Sequence, residues 1–142
     1  MEWLYKNKEI KEISDLPNNT FGFIYQTTHL PTGKRYIGKK SLIYNLKKKL
    51  GKKEKALWEG KGRPPMYKQV QKESDWKTYY GSHSFIKDAN KEDLTRTILQ
   101  IAYHKKELTY LECKYQFISE VLEDKKYLND NILGKFYDRD FK

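Results

Sequence analysis

Tyr25 and Tyr36 stand eleven residues apart on either side of a Pro-Thr-Gly turn, each inside a short apolar triplet. The first triplet is Phe23-Ile24-Tyr25 after Gly22, the second Tyr36-Ile37-Gly38, and Lys39 and Lys40 follow directly. Two phenols, adjacent cations and a later carboxylate, Glu112, are groups that phosphodiester hydrolysis can use. That reaction requires a water nucleophile, neutralised phosphate oxygens and help for the departing oxygen. A carboxylate-held divalent cation stabilises the charge and the leaving group, and Mg²⁺ is satisfied by one or two carboxylates completed by water and substrate oxygen. A free phenol has a pKa of about 10 and is a poor base at neutral pH unless cations lower it. Lys39, Lys40 and a metal are therefore expected to tune the tyrosines and hold the phosphate; which tyrosine takes the proton is left open. The competing explanation is that two aromatics simply pack across a hairpin.

These groups need a scaffold. Residues 21–28 and 35–40 are β-favouring and bracket HLPTGK, which predicts a hairpin with a loop longer than two residues. On a strand Phe21, Phe23 and Tyr25 share one face, and Tyr36 shares one with Gly38. Residues 94–101, LTRTILQI, are the best candidate for a third strand. Leu108, Leu111, Tyr115, Ile118 and Leu122 recur at spacings of three and four, which predicts a helix from about Lys106 to Leu122 with Glu112 at the edge of its apolar stripe. Residues 1–19 read as a polar, turn-rich lead-in. In YYGSHSF, Ser82 or Ser84 is the expected cap of a helix start. His29, His83 and His104 have no metal-ligand spacing and read as surface or supporting residues.

Charge is concentrated. Residues 34–77 hold fifteen Lys/Arg against four Asp/Glu, an excess of +11, whereas the remainder sums to −1. Such a footprint implies a polyanion, most often nucleic acid. Within it, residues 42–75 are lysine-rich and punctuated by Gly and Pro, which predicts an inserted flexible arm, not a long helix. Lys47, Lys48, Lys49, Lys52 and Lys53 are its expected grip on DNA, mostly through phosphate. The 142 residues are read as one domain with this basic insertion at about 42–75. No run approaches the roughly 20 apolar residues of a membrane span, and MEWLYKNKEI has no secretory character. The single Cys113 excludes an internal disulfide and a multi-cysteine zinc site. A cytoplasmic protein is expected.

The two triplets at this spacing, with YYGSHSFIKDA, ILQIAYHKKELTYLECKYQF and NDNIL behind them, resemble the GIY-YIG nucleases over roughly residues 20–137, and in particular free-standing phage-encoded members. The resemblance implies an α+β fold: a three-stranded antiparallel sheet flanked by helices, with the lysine-rich insertion after the second strand. It implies a DNA endonuclease using Mg²⁺ or Mn²⁺, with Tyr25 and Tyr36 at the water, Glu112 as the metal ligand, and Asn131 tying the C-terminal segment to the site. Phe23 replaces the family's usual glycine, a mild departure. The family's arginine is expected about ten residues after the second tyrosine, where this chain has Leu46. Arg63 by side-chain type, or Lys40 by closeness, is the expected substitute, with Lys39 and Lys77 as further phosphate-binding cations. A restriction-type endonuclease of the same fold and a non-catalytic nucleic-acid-binding module are the alternatives. Monomer and homodimer are both compatible with the sequence.

Overall fold

The sheet begins earlier in the chain than its sequence suggests. In the computed structural model, which describes residues 2–142, Trp3–Tyr5 (β1) and Lys8–Ile10 (β2) form an antiparallel hairpin. Lys6 and Asn7 turn it with φ of 50° and 66°, the two left-handed positions that a two-residue hairpin needs to match strand twist. Gly22–His29 (β3) and Arg35–Ser41 (β4) form the second hairpin, with Tyr25 opposite Gly38 and Thr27 opposite Tyr36. Ile43–Lys49 (β5) and Tyr67–Glu73 (β6) then pair over their full length, joined through the short helix Lys52–Ala56 (α1). Ser84–Asp88 (α2), Leu94–Ala102 (β7) and Lys105–Ile118 (α3) follow, and Asn131–Ile132 (β8) pairs with Phe136–Tyr137 (β9).

The result is a mixed α/β fold. Its main sheet has five strands in the order β2-β1-β7-β3-β4, not the expected three. The pairing is also mixed, because β1 lies parallel to β7 while β3 is antiparallel to both its neighbours. Trp3 explains the extension. Its side chain is fully buried, its indole N–H donates to the Trp76 carbonyl at 2.7 Å, and its ring meets Phe23 and Tyr25 edge-on at 4.8 and 5.3 Å. The Arg96 guanidinium covers it at 4.4 Å. Turn residues so near the N-terminus hide the alternation of WLY and KEI, which is why the segment reads as a lead-in.

Phe23 and Tyr25 thus help fill an aromatic layer on one face. Ile24 and Ile37 point to the other, where Ala102, Leu108, Leu111, Val121, Leu122, Tyr127 and Ile132 close a second, aliphatic layer. A strand buried on both faces reads as a continuous apolar run, and FIY at the centre of β3 is one.

Helix α3 supplies the aliphatic layer through Leu108 and Leu111, but it stops at Ile118, four residues short of the expected end. Glu120 takes φ 54°, its N–H bonds to Phe117 O at 3.1 Å, and Val121 N–H bonds to Gln116 O at 3.2 Å. This pair of reversed bonds is a Schellman ending. It sends Val121 and Leu122 into the core from a turn and leaves Ile118 exposed, so Gln116 takes the buried position on the helix.

By contact density the chain divides into two compact units, one comprising the residues up to Leu42 together with Asp75–Lys142, the other Ile43–Ser74. The second unit is an ordered two-stranded ribbon where the sequence suggested a flexible arm. No described helix is long and apolar enough to cross a membrane.

Because Trp3 joins two strands and both aromatic triplet residues, Trp3→Ala should cost about 3–5 kcal/mol. Urea denaturation would measure this; a loss below about 1 kcal/mol would mean that β1 is peripheral.

Candidate active site

β4 is an edge strand, so its two faces and its free edge all border solvent somewhere along its length. Tyr36 points to the aromatic face with Tyr25, their ring centroids 6.3 Å apart. Lys39 points to the opposite face, toward α3. There its ammonium lies 4.0 Å from Glu112 Oε1 and donates to Thr109 Oγ1 at 3.0 Å. Around this edge a pocket of about 310 Å³ is lined by Tyr36, Lys39, Glu112 and Gln116 with the segment Asn129–Asn131. The site therefore straddles the last strand of the sheet.

What keeps the edge in place is the Ile37 peptide. Its N–H donates to Asn129 Oδ1 at 3.1 Å, and its carbonyl accepts from Asn129 Nδ2 at 2.8 Å and from Gln116 Nε2 at 3.1 Å. A side-chain amide here does the work of a neighbouring strand. Two residues earlier on the same edge the main chain does it directly, with Arg35 N–H bonded to Lys126 O and Leu128 N–H to Arg35 O. The Lys142 ammonium in turn donates to the Tyr127 and Asn129 carbonyls at 2.7 and 3.0 Å. The tie expected of Asn131 thus belongs to Asn129. Asn131 instead lines the pocket, accepting from Gly134 N–H at 2.9 Å and donating to Asp130 at 2.7 Å. With two asparagines in NDN, spacing alone could not choose; burial does, since Asn129 is the one enclosed.

The phenols are shaped by close packing. A Cβ on Gly38 would lie 2.6 Å from the Tyr25 hydroxyl and 3.0 Å from the Tyr36 ring, so only glycine leaves room for the pair. Gly81, at φ 142°, passes over both rings from the segment before α2. Ser82 shares a 2.9 Å hydrogen bond with the Tyr36 hydroxyl. Neither serine caps α2 as expected: His83 does, its Nδ1 accepting Phe85 N–H at 3.1 Å, while its ring flanks Tyr36 at 6.3 Å. His104 caps α3 in the same way.

The protein's own groups raise the tyrosine pKa values. Burial pushes Tyr25 well above the ordinary phenol value, and the neighbouring phenols Tyr79 and Tyr36 push it further. Burial also raises Tyr36; the Ser82 hydroxyl opposes this, while Tyr79, Glu112 and Asp130 reinforce it. The lysines do not compensate because they are engaged elsewhere. Lys40 pairs with Asp75 at 2.5 Å and lies 4.0 Å over the Tyr79 ring. Lys39 is occupied by α3. The surrounding side chains therefore favour the protonated form of both phenols.

Glu112 is raised as well, first by burial, with the Lys39 ammonium and backbone pulling it down. Its side chain is only 20% exposed. The carboxylate is under-compensated, and a hard cation would relieve it. Asp130, unremarked in the sequence, lines the same pocket. Carboxylate oxygens are the donors that a hard divalent cation takes, although no group of three or more acidic, His or Cys ligands occurs among the described residues.

The remaining predicted cations are dispersed. Lys77 pairs with Glu12 at 2.7 Å. Arg63 lies between α1 and β6 in the second unit, as Leu46 lies on β5 and not on a helix. Lys47 and Lys49 share one face of β5 and Lys48 the other, while Lys52 and Lys53 sit on α1, so these five do not form a single patch.

Residues 3–132 match the family model described as "Putative endonuclease segE, GIY-YIG domain", and the chain belongs to the GIY-YIG family. No curated protein and no solved structure matches the chain significantly.

Asn129→Ala should destabilise the fold by about 1–3 kcal/mol, because it strands the buried Ile37 N–H. Asn131→Ala, which opens a surface turn, should cost less than about 1 kcal/mol. Urea unfolding of the two variants decides; equal costs would remove Asn129 from this role.

Proposed function

We propose that the protein is a divalent-metal-dependent DNA endonuclease of phage or mobile-element type, hydrolysing phosphodiester bonds at the β4 edge. The observation that carries this reading is the pocket that gathers Tyr36, Lys39, Glu112 and Asp130 beside the enclosed Tyr25. Membership of the family supports nuclease-like activity in general.

In this reading Glu112 holds Mg²⁺ or Mn²⁺, with Asp130 as a second oxygen donor. The ion, when bound, supplies charge stabilisation for the phosphate and the leaving oxygen. Tyr36 and Tyr25 hold the attacking water by hydrogen bonds, their acidity still low until cationic charge enters the pocket. Lys39, which lines the pocket, meets the phosphate oxygens and takes the role of the family's arginine. Lys40 supports from behind, through Asp75 and Tyr79. The basic residues of the ribbon supply non-specific attraction to the DNA backbone.

Glu112→Gln separates function from stability. A carboxylate whose folded pKa lies above its unfolded value adds stability below the unfolded pKa and loses it as pH rises through the folded one. At neutral pH the ionised side chain is then a net burden on the metal-free fold. Glu112→Gln should raise the thermal midpoint at neutral pH while abolishing cleavage of plasmid DNA with Mg²⁺. Retained cleavage would exclude Glu112 as the ligand. In the wild type, the Mg²⁺ concentration needed for half-maximal cleavage should rise as pH falls, because the proton and the cation compete for the Glu112 carboxylate, whose burial favours the proton.

Tyr25→Phe and Tyr36→Phe keep the ring packing and delete only a hydroxyl. Each should lower the cleavage rate roughly 10²-fold or more with little change in thermal midpoint. Wild-type rates in both would leave the tyrosines as packing residues.

A further inference from the structure

The second unit offers more than positive charge. Opposed residues of an antiparallel pair lie on one face, and successive residues alternate between faces. One face of the β5–β6 ribbon therefore carries Asn45 opposite Gln71, Lys47 opposite Gln69, and Lys49 opposite Tyr67, with Ile43 opposite Glu73 at its far end. The other carries Tyr44 opposite Lys72, Leu46 opposite Val70, and Lys48 opposite Lys68. The two faces are not equivalent. On the second, Lys68 is bound to Glu54 of α1 at 2.5 Å, and Leu46 and Val70 form an apolar pair. On the first, Asn45, Lys47, Lys49, Gln69 and Gln71 are all exposed, and none of these side chains has a partner among the described residues.

Three free carboxamides and two free ammonium groups on one flat face form a surface of donors and acceptors that nothing in the unit uses. Amides pair in bidentate fashion with N6 and N7 of adenine, and lysine with O6 and N7 of guanine. The unit carries ten Lys/Arg against three Glu, an excess of seven, which complements a phosphate backbone. Seven-residue strands extend about 23 Å, and a two-stranded ribbon fits the roughly 12 Å major groove of B-form DNA. The deep, narrow major groove of A-form RNA does not admit it.

The geometry points to this ribbon face as the sequence-reading element: it enters the major groove of duplex DNA and selects a purine-rich strand, adenine through Asn45, Gln69 and Gln71 and guanine through Lys47 and Lys49. This rests on the DNA-cleaving reading for the choice of polyanion. It departs from the expectation that the insertion contacts only phosphate, because an ordered ribbon presents its side chains in a fixed register where a flexible arm does not.

The test compares the full-length wild type with the Asn45→Ala/Gln69→Ala/Gln71→Ala variant. Both are used to select from a random-sequence DNA duplex pool in EDTA, and both are mapped for cleavage ends with Mg²⁺. The expected result is a purine-biased wild-type preference that falls at least about tenfold in the triple variant, with the dependence of affinity on salt unchanged. Gln69→Glu/Gln71→Glu, nearly isosteric, should move the preference from adenine toward cytosine, since carboxylates accept from cytosine N4. Lys52→Gln/Lys53→Gln on α1 should instead weaken binding to all sequences and flatten the salt slope. A wild type without sequence preference, a triple variant with the wild-type preference, or equal binding to an A-form RNA duplex would overturn the assignment. Absence of Mg²⁺-dependent cleavage with a retained DNA preference would count against the nuclease reading alone.

Discussion

The peptide of Ile37 is the constraint on which the site depends. An edge strand carries unpaired N–H and C=O groups that must find partners or meet water. Here one asparagine side chain satisfies both groups of a single residue, and a glutamine from α3 takes the second lone pair. The sheet can therefore end at β4 without another strand being laid over it. A covering strand would close the pocket; a bare edge would leave Tyr36 and Lys39 loosely held. Capping one peptide with side chains keeps the flanking residues fixed and the space beside them open.

The electrostatics follow from that enclosure. Tyr25, Tyr36 and Glu112 all have their proton affinity raised, in each case first by burial. The Lys39 ammonium is shared with Thr109 and only partly compensates the glutamate. This is a site poised for added positive charge, and the same imbalance that would favour a cation weakens the empty fold. The aromatic layer around Trp3, together with the aliphatic layer under α3, holds the site against that cost.

Much of this was legible because local rules agreed. FIY and YIG on either side of PTG gave the central hairpin, LTRTILQI gave β7, and the leucine spacing gave the start of α3 and the half-buried place of Glu112. What escaped was set by contacts distant in sequence. Trp3 looks like any aromatic near a terminus until Trp76 and Arg96 meet it. The end of α3 depends on Glu120 adopting a left-handed conformation that no glycine announces. Asn129 and Asn131 differ by burial and not by type, and the lysines after YIG face opposite ways because strand alternation separates neighbours that charge counting adds together. The Gly and Pro residues of the insertion marked its loop but concealed that its flanks pair in register.

That alternation also gives the sharpest test, since Lys39 and Lys40 are adjacent in sequence and alike in chemistry yet lie on opposite faces of β4. The measurement is the initial rate of supercoiled plasmid cleavage with Mg²⁺ for Lys39→Met and Lys40→Met, each checked for folding by circular dichroism. If the site lies at the β4 edge facing α3, Lys39→Met should lose most of the rate, and Lys40→Met should cut close to the wild-type rate with a lower thermal midpoint. A folded Lys39→Met that cleaves normally, beside an inactive Lys40→Met, would place the chemistry on the other face and contradict the account.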